Sequence, residues 1–196
     1  MLKINQIKLP VGQNEQHLEK KIRKILNLPK TESFTYEIIK KSLDARKKPE
    51  LFYVYTVHVT VHNESKVKKK IHPSSVSVVT ESEYQFPVAG KENLSARPVI
   101  VGAGPAGLFA AYQLTEAGYL PLVLERGKKV QERQKDVEQF WQTGRLLPES
   151  NVQFGEGGAG TFSDGKLNSV VKDPTGRNRY VLRTFVKFGA PSEILY

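Results

Sequence analysis

No cysteine occurs anywhere in the 196 residues. That excludes a disulfide framework, a thiolate metal site and a redox-active dithiol, so any electron transfer must belong to a bound cofactor. Long apolar runs are missing as well. No segment approaches the ~18 continuous apolar residues of a membrane span, and the N-terminus MLKINQIKLP lacks the apolar core of a signal peptide. A cytoplasmic chain with no membrane partner is expected. Histidine is scarce, with four residues. His58 and His62 share one face of a predicted strand, but four residues at about 3.3 Å each separate them by ~13 Å, too far for one ion. His17 and His72 have no ligand partners nearby in sequence, and no metal site is expected.

What is abundant is positive charge, a formal +10. It is unevenly placed. Residues 1–97 hold 18 Lys and Arg against 10 Asp and Glu, and residues 98–196 hold 12 against 10. The run Lys66, Lys68, Lys69 and Lys70 reads as a solvated face; it is also where phosphates of a nucleic acid would be met. Tyr53 and Tyr55 share their face with valines and read as core, and no recognition motif accompanies the lysines. A basic nucleic-acid-binding module is therefore the weaker alternative.

Composition changes near residues 89–98, which show neither apolar periodicity nor bulky hydrophobes. The expected organisation is a small α+β domain over 1–90, a linker over 91–97 and a second domain over 98–196. In the first, Leu2, Ile4, Ile7 and Leu9 form a strand with a phase break, and Pro10 and Gly12 turn the chain. Asn14 is placed to cap a helix over 15–27 whose stripe is Leu18, Ile22, Ile25 and Leu26. Phe34, Tyr36 and Ile38, then Leu51, Tyr53, Tyr55, Val57, Val59 and Val61, alternate as two strands of a hairpin. Residues 44–49 are its exposed connection, and 76–79 a last short strand. This order has a ferredoxin-like tendency.

The second domain opens on VIVGAGPAGL, an apolar strand feeding G-x-G-x-x-G. Gly102 permits a tight turn, Gly104 removes a side chain between the backbone and a phosphate, and Gly107 lets the helix pack on the strand. The helix N-terminus adds unpaired N–H groups and partial positive charge. Gly118 marks the helix stop, and Leu120 to Leu124 the next parallel strand. Glu125 follows, 18 positions beyond Gly107, where a carboxylate accepts from adenosine ribose hydroxyls. A bare glycine turn with a solvated Glu leaves that strand, helix, strand and acid order unaccounted for.

A second cluster, NVQFGEGGAGTFSDGKL, places five glycines in eleven residues. Ordering them costs backbone entropy, which argues for close approach to something. Consecutive N–H groups there suit an anion-binding concavity with Ser163 and Lys166 beside it; a flexible loop is the alternative, though Phe154 and Phe162 are unusual in one.

RPVIVGAGPAGLFAAYQL, LERGKKVQERQKDVEQFW and NVQFGEGGAGTFSDGKL together resemble uncharacterised bacterial FAD-dependent dehydrogenases with a glutathione-reductase-type FAD domain, and the first 90 residues resemble their small N-terminal domain. The resemblance implies an α+β domain followed by an incomplete α/β Rossmann-like FAD-binding domain. It implies FAD contact at Gly102, Gly104, Pro105, Ala106 and Gly107, at Glu125 and Arg126, at Arg133 against the phosphates, and at Gly157, Gly158, Gly160, Ser163 and Lys166, with Asp164 nearby. No residue is assigned to proton transfer. NAD(P)H is a candidate reductant, and the small-molecule substrate is open. Members of that family are longer, so the expectation is an N-terminal piece of a flavoprotein oxidoreductase; a non-catalytic remnant is the alternative.

Overall fold

The computed structural model describes residues 1–68, 76–80, 83–88, 90–163 and 172–196. The chain divides into two compact units. One is Met1–Gln85 with the described residues of Val171–Tyr196, and the other is Phe86–Val170.

The first unit runs β1 (Leu2–Pro10), α1 (Glu15–Ile25), β2 (Phe34–Lys47), β3 (Glu50–Val61), α2 (Glu64–Lys68) and β4 (Val76–Val78). Its four strands lie in the order β2-β3-β1-β4, every neighbouring pair antiparallel. This is the βαββαβ arrangement of two interlocked split βαβ units. The phase break in β1 has a local cause. The register against β3 shifts between Ile4 and Ile7, and Gln6 takes a left-handed φ of 59°. The extra residue of such a bulge turns both isoleucines inward, where they are 0% and 2% exposed.

Helix α1 lays Leu18 and Ile22 into the cluster formed by Leu2, Ile4, Leu9, Val57 and Val59. Asn14 occupies the N-cap position without making a cap bond; its side chain pairs instead with His17 Nδ1 at 2.7 Å. The helix stops at Ile25, two residues short of the expected end, as Asn27 enters the left-handed region at φ 48°.

The hairpin connection is shorter than expected. β2 continues to Lys47 and β3 begins at Glu50, so Asp44, Ala45, Arg46 and Lys47 are strand residues. Asp44 pairs with Phe52 in the ladder and accepts from Arg46 Nε and Nη2, each at 2.8 Å, and from Lys8 Nζ at 3.1 Å. Those cations, Arg46 first, hold its carboxyl well below the usual carboxylate range.

The described C-terminal residues cluster with the first unit. Helix α5 (Arg177–Lys187) brings Arg179 and Arg183 onto Glu37 of β2, and Arg183 also reaches Glu83 at 3.5 Å. Tyr180 packs its ring 5.7 Å from that of Tyr84, and Tyr196 lies against the apolar cluster. Arg179 and Arg183 thus meet one carboxylate on the sheet.

The second unit contains β5 (Val99–Val101), α3 (Pro105–Glu116), β6 (Leu122–Leu124) and α4 (Val130–Thr143). β5 and β6 are parallel, with Val99 opposite Leu122 and Val101 opposite Leu124. With α3 between them they form one βαβ crossover. Gly118, at φ 87°, ends the helix as expected, while Pro121 holds the strand start back to Leu122. The expected linker is not free of this unit, since Arg97 donates to the carbonyls of Leu120 (2.7 Å) and Pro121 (3.1 Å). Among the described residues no helix is long and apolar enough to cross a membrane.

Leu18 is fully buried in the first unit's cluster. Leu18→Ala should therefore cost about 2–5 kcal/mol in unfolding free energy, read by denaturant titration followed by circular dichroism, whereas exposed Leu43→Ala should cost less than about 0.5 kcal/mol.

Candidate functional site

The parallel crossover builds a single turn at residues 102–107. Gly102 leaves β5 with φ 103° and donates its N–H to the carbonyl of Leu124 at 2.6 Å, which ties the turn to the end of β6. Gly104 stands at the N-cap of α3 and Pro105 at its first position, where a missing N–H costs nothing and a fixed φ suits the helix. The first-turn amides have no intrahelical acceptor and carry the positive end of the helix dipole.

Gly107 is required by packing. A Cβ there would lie 1.9 Å from the Gly102 carbonyl oxygen. Gly104 is different. Its φ of −75° is open to any residue, and an added Cβ would meet nothing within 4 Å.

Ala103, between them, is buried and held at both ends. Its N–H donates to Glu125 Oε2 at 2.6 Å, and its carbonyl accepts from the Gly157 N–H at 2.8 Å. Glu125 Oε1 accepts from the Gly127 N–H at 2.8 Å. These bonds, Ala103 first, favour the ionised carboxylate and lower its pKa. Glu125 thus stands at the end of β6 as expected, with each oxygen already engaged by backbone.

The second glycine cluster meets the first. Besides the Gly157 bond, Gly158 sits so close that a Cβ on it would lie 3.1 Å from Pro105 Cδ and 3.3 Å from Gly104 Cα. The expected anion-binding concavity of consecutive amides is only partly available. The N–H groups of Glu156, Gly157 and Gly158 donate to the carbonyls of Lys128, Ala103 and Gly155. Gly160 lies in a 3-10 turn, Ala159–Phe162, with open space around its Cα, and Ser163 donates its N–H back to Gly160.

Two basic residues engage groups of the protein itself. Arg133, expected at the cofactor phosphates, is 0% exposed; its Nη1 and Nη2 donate to carbonyls of the second glycine segment, and its Nε is buried without a partner. Arg126 stacks its guanidinium 4.1 Å from the centre of the Phe154 ring. Ala106 lies in the first turn of α3. Lys166 and Asp164 fall outside the described residues, as do Lys69, Lys70 and His72. No group of three or more His, Asp or Glu converges on a metal-sized point among the described residues.

The sequence reading passed over three participants. Glu156 caps α4 through Val130 N–H at 2.8 Å. Gly127 packs so tightly that a Cβ would lie 2.4 Å from Gly155 Cα. Asp136, held low by Lys128 first and Ser150 second, receives both donors on Oδ2. The only signal for them was an acid inside a glycine run and a glycine just after Glu125.

Residues 100–131 match the family model of the NAD(P)-binding Rossmann-like domain. The match covers α3, β6 and most of β5, the elements that build the turn, and points to a dinucleotide-type cofactor. Residues 1–60 match a domain of unknown function (DUF8436). An uncharacterized protein of Clostridium beijerinckii is 47% identical over 195 residues, covering all of this chain and 36% of that protein. The chain thus spans about a third of the length of this curated relative.

Two outcomes follow for the site. Gly107→Ala should destabilise the second unit by about 1–3 kcal/mol through overpacking, read as an earlier unfolding transition of Trp141, which lies in α4. Glu125 has a lowered folded-state pKa, so its stabilisation is present above the ordinary value near 4.5 and is lost as pH falls through the depressed value. Glu125→Gln should make the Trp141 transition less sensitive to pH over that acidic window; an unchanged pH profile would contradict the assignment.

Proposed function

We propose that this chain binds FAD at the turn over residues 102–107 and serves as part of an FAD-dependent oxidoreductase of the dehydrogenase type. The observation that carries this reading is the glycine at position 104. An N-cap favours Ser, Asp or Asn over glycine, the backbone there suits any of them, and an added Cβ would meet nothing within 4 Å. The fold supplies no reason for glycine, and a diphosphate approaching the backbone supplies one.

Around that position the residues fit a dinucleotide. The amides of Ala106 and Gly107 open α3 toward an anion. Glu125 Oε1 and Oε2 each accept one backbone N–H, and a carboxylate with about four lone-pair sites retains capacity for ribose hydroxyls. Gly157 and Gly158 close one side of the turn, with Gly160 and Ser163 beyond them. When bound, FAD supplies an isoalloxazine ring that accepts and returns an electron pair. The protein's part is to position that cofactor and to keep its diphosphate in a field of backbone dipoles. The flavin reading draws on the second glycine segment packed onto the first, an addition that a plain βαβ dinucleotide unit does not need. The Rossmann-like match favours one competing reading, a nicotinamide dinucleotide at the same turn. The substrate is a small molecule, with NAD(P)H as the candidate electron donor.

Titration with FAD, followed by quenching of flavin fluorescence, should saturate at one equivalent, with NAD⁺ binding at least about tenfold more weakly. Tighter NAD⁺ binding would favour the nicotinamide reading, and failure of both ligands would contradict dinucleotide binding. Gly104→Asp separates binding from folding. Aspartate is a better N-cap than glycine by a few tenths of a kcal/mol, so the second unit should be as stable as before or slightly more so. FAD affinity should nonetheless fall by at least about tenfold, because a carboxylate then faces the diphosphate.

A further inference from the structure

Arg133 is an unusual residue to find fully enclosed, because a buried cation is costly unless its hydrogen bonds are satisfied. It lies in the first turn of α4. Its Nη1 donates to the carbonyl of Glu156 at 2.5 Å, and its Nη2 to those of Gly158 at 3.1 Å, Asn151 at 3.3 Å and Val152 at 3.4 Å, which leaves Nε as the one buried N–H of the guanidinium with no partner. The guanidinium carbon stands 4.9 Å from the centre of the Phe162 ring. The side-chain stem lies against Gly155, where a Cβ would come within 2.5 Å of Arg133 Cδ and 2.7 Å of Nε. One side chain therefore gathers both flanks of Gly157.

That matters for the neighbouring turn. Gly157 donates its N–H to the Ala103 carbonyl. In a trans peptide the carbonyl and the following N–H point in opposite directions. Fixing the Ala103 carbonyl toward the second glycine segment therefore turns the Gly104 N–H away from it, at the N-cap of α3. A flipped peptide would present a carbonyl oxygen where that N–H now points, and an oxygen dipole repels an anion.

We infer that Arg133 is a positioning residue for the cofactor diphosphate: it holds the second glycine segment so that Gly157 locks the Ala103–Gly104 peptide with its N–H available, without itself touching the phosphates. This rests on the dinucleotide reading of the turn. It also accounts for an arginine rather than a lysine, since a planar guanidinium can span separated carbonyls and a point-like ammonium cannot.

The test titrates FAD into the 196-residue chain, as wild type, Arg133→Met and Arg133→Lys. It is run below the unfolding temperature of each, as reported by Trp141 fluorescence. Both variants should bind FAD at least about tenfold more weakly while folded, the scale of one lost charge-assisted hydrogen bond. The deficit should persist at about 1 M salt, where charge interactions reach only ~3 Å. Amide exchange at Gly157 should quicken in both. Should Arg133→Met fail to fold, Arg133→Lys and the Gly157 exchange rate decide. Wild-type affinity in a folded variant would overturn the inference. So would a lysine variant that binds normally beside a methionine variant that does not, because charge alone would then suffice. If the wild-type chain takes up no FAD, the dinucleotide reading itself fails and this inference goes with it.

Discussion

Ala103 is the residue through which the second unit is organised. Its N–H is taken by Glu125 from the end of β6, and its carbonyl by Gly157 from a segment more than fifty residues further along the chain. Beside it, the absence of a side chain on Gly107 lets the start of α3 pack down onto the Gly102 carbonyl and Ile100 of β5. Strand, helix, acid and second glycine segment thus meet at one buried alanine, and the amides that open α3 are presented by that arrangement.

The two units are held by different forces. The first has an ordinary apolar core, in which Leu2, Ile4, Leu18, Ile22, Val57 and Val59 are all fully enclosed. Burial of such side chains at roughly 25 cal/mol per Å² is the main stabilising contribution there. In the second unit Ala103 and Val137 are the enclosed apolar residues among those described, and Val101 is 85% exposed. Its order comes largely from directed polar bonds: Arg133 on four carbonyls, Glu156 on the start of α4, and Asp136 on Lys128 and Ser150. A unit tied in this way fixes the direction of each amide and carbonyl, which is what recognition of an anion by backbone requires.

Much of this was legible in the sequence, for identifiable reasons. Alternation in β3 and the 3.6-residue stripe of α1 report burial directly, so both elements fall where the apolar periods place them. The G-x-G-x-x-G turn reads clearly because Gly102 and Gly107 answer local constraints, a left-handed φ and a close packing contact. The pairing of the C-terminal helix with the first sheet was not legible, because its arginines are matched by Glu37, more than a hundred residues away, and no local pattern encodes that contact. The four carbonyl partners of Arg133 were hidden for a related reason: they lie 18–25 residues further along the chain, beyond any local pattern. The extent of β2 was underestimated because charged residues on an edge strand resemble a loop. Asp44, Arg46 and Lys8 neutralise one another there.

The central claim is that an anionic dinucleotide is met by the backbone at the start of α3. The most direct measurement is an amide nitrogen–proton correlation spectrum recorded with and without FAD. The account predicts that the largest shifts fall on Gly104, Ala106 and Gly107, with smaller ones on Ala103 and Gly157. Shifts confined to the basic strands of the first unit, or none at saturating FAD, would contradict it.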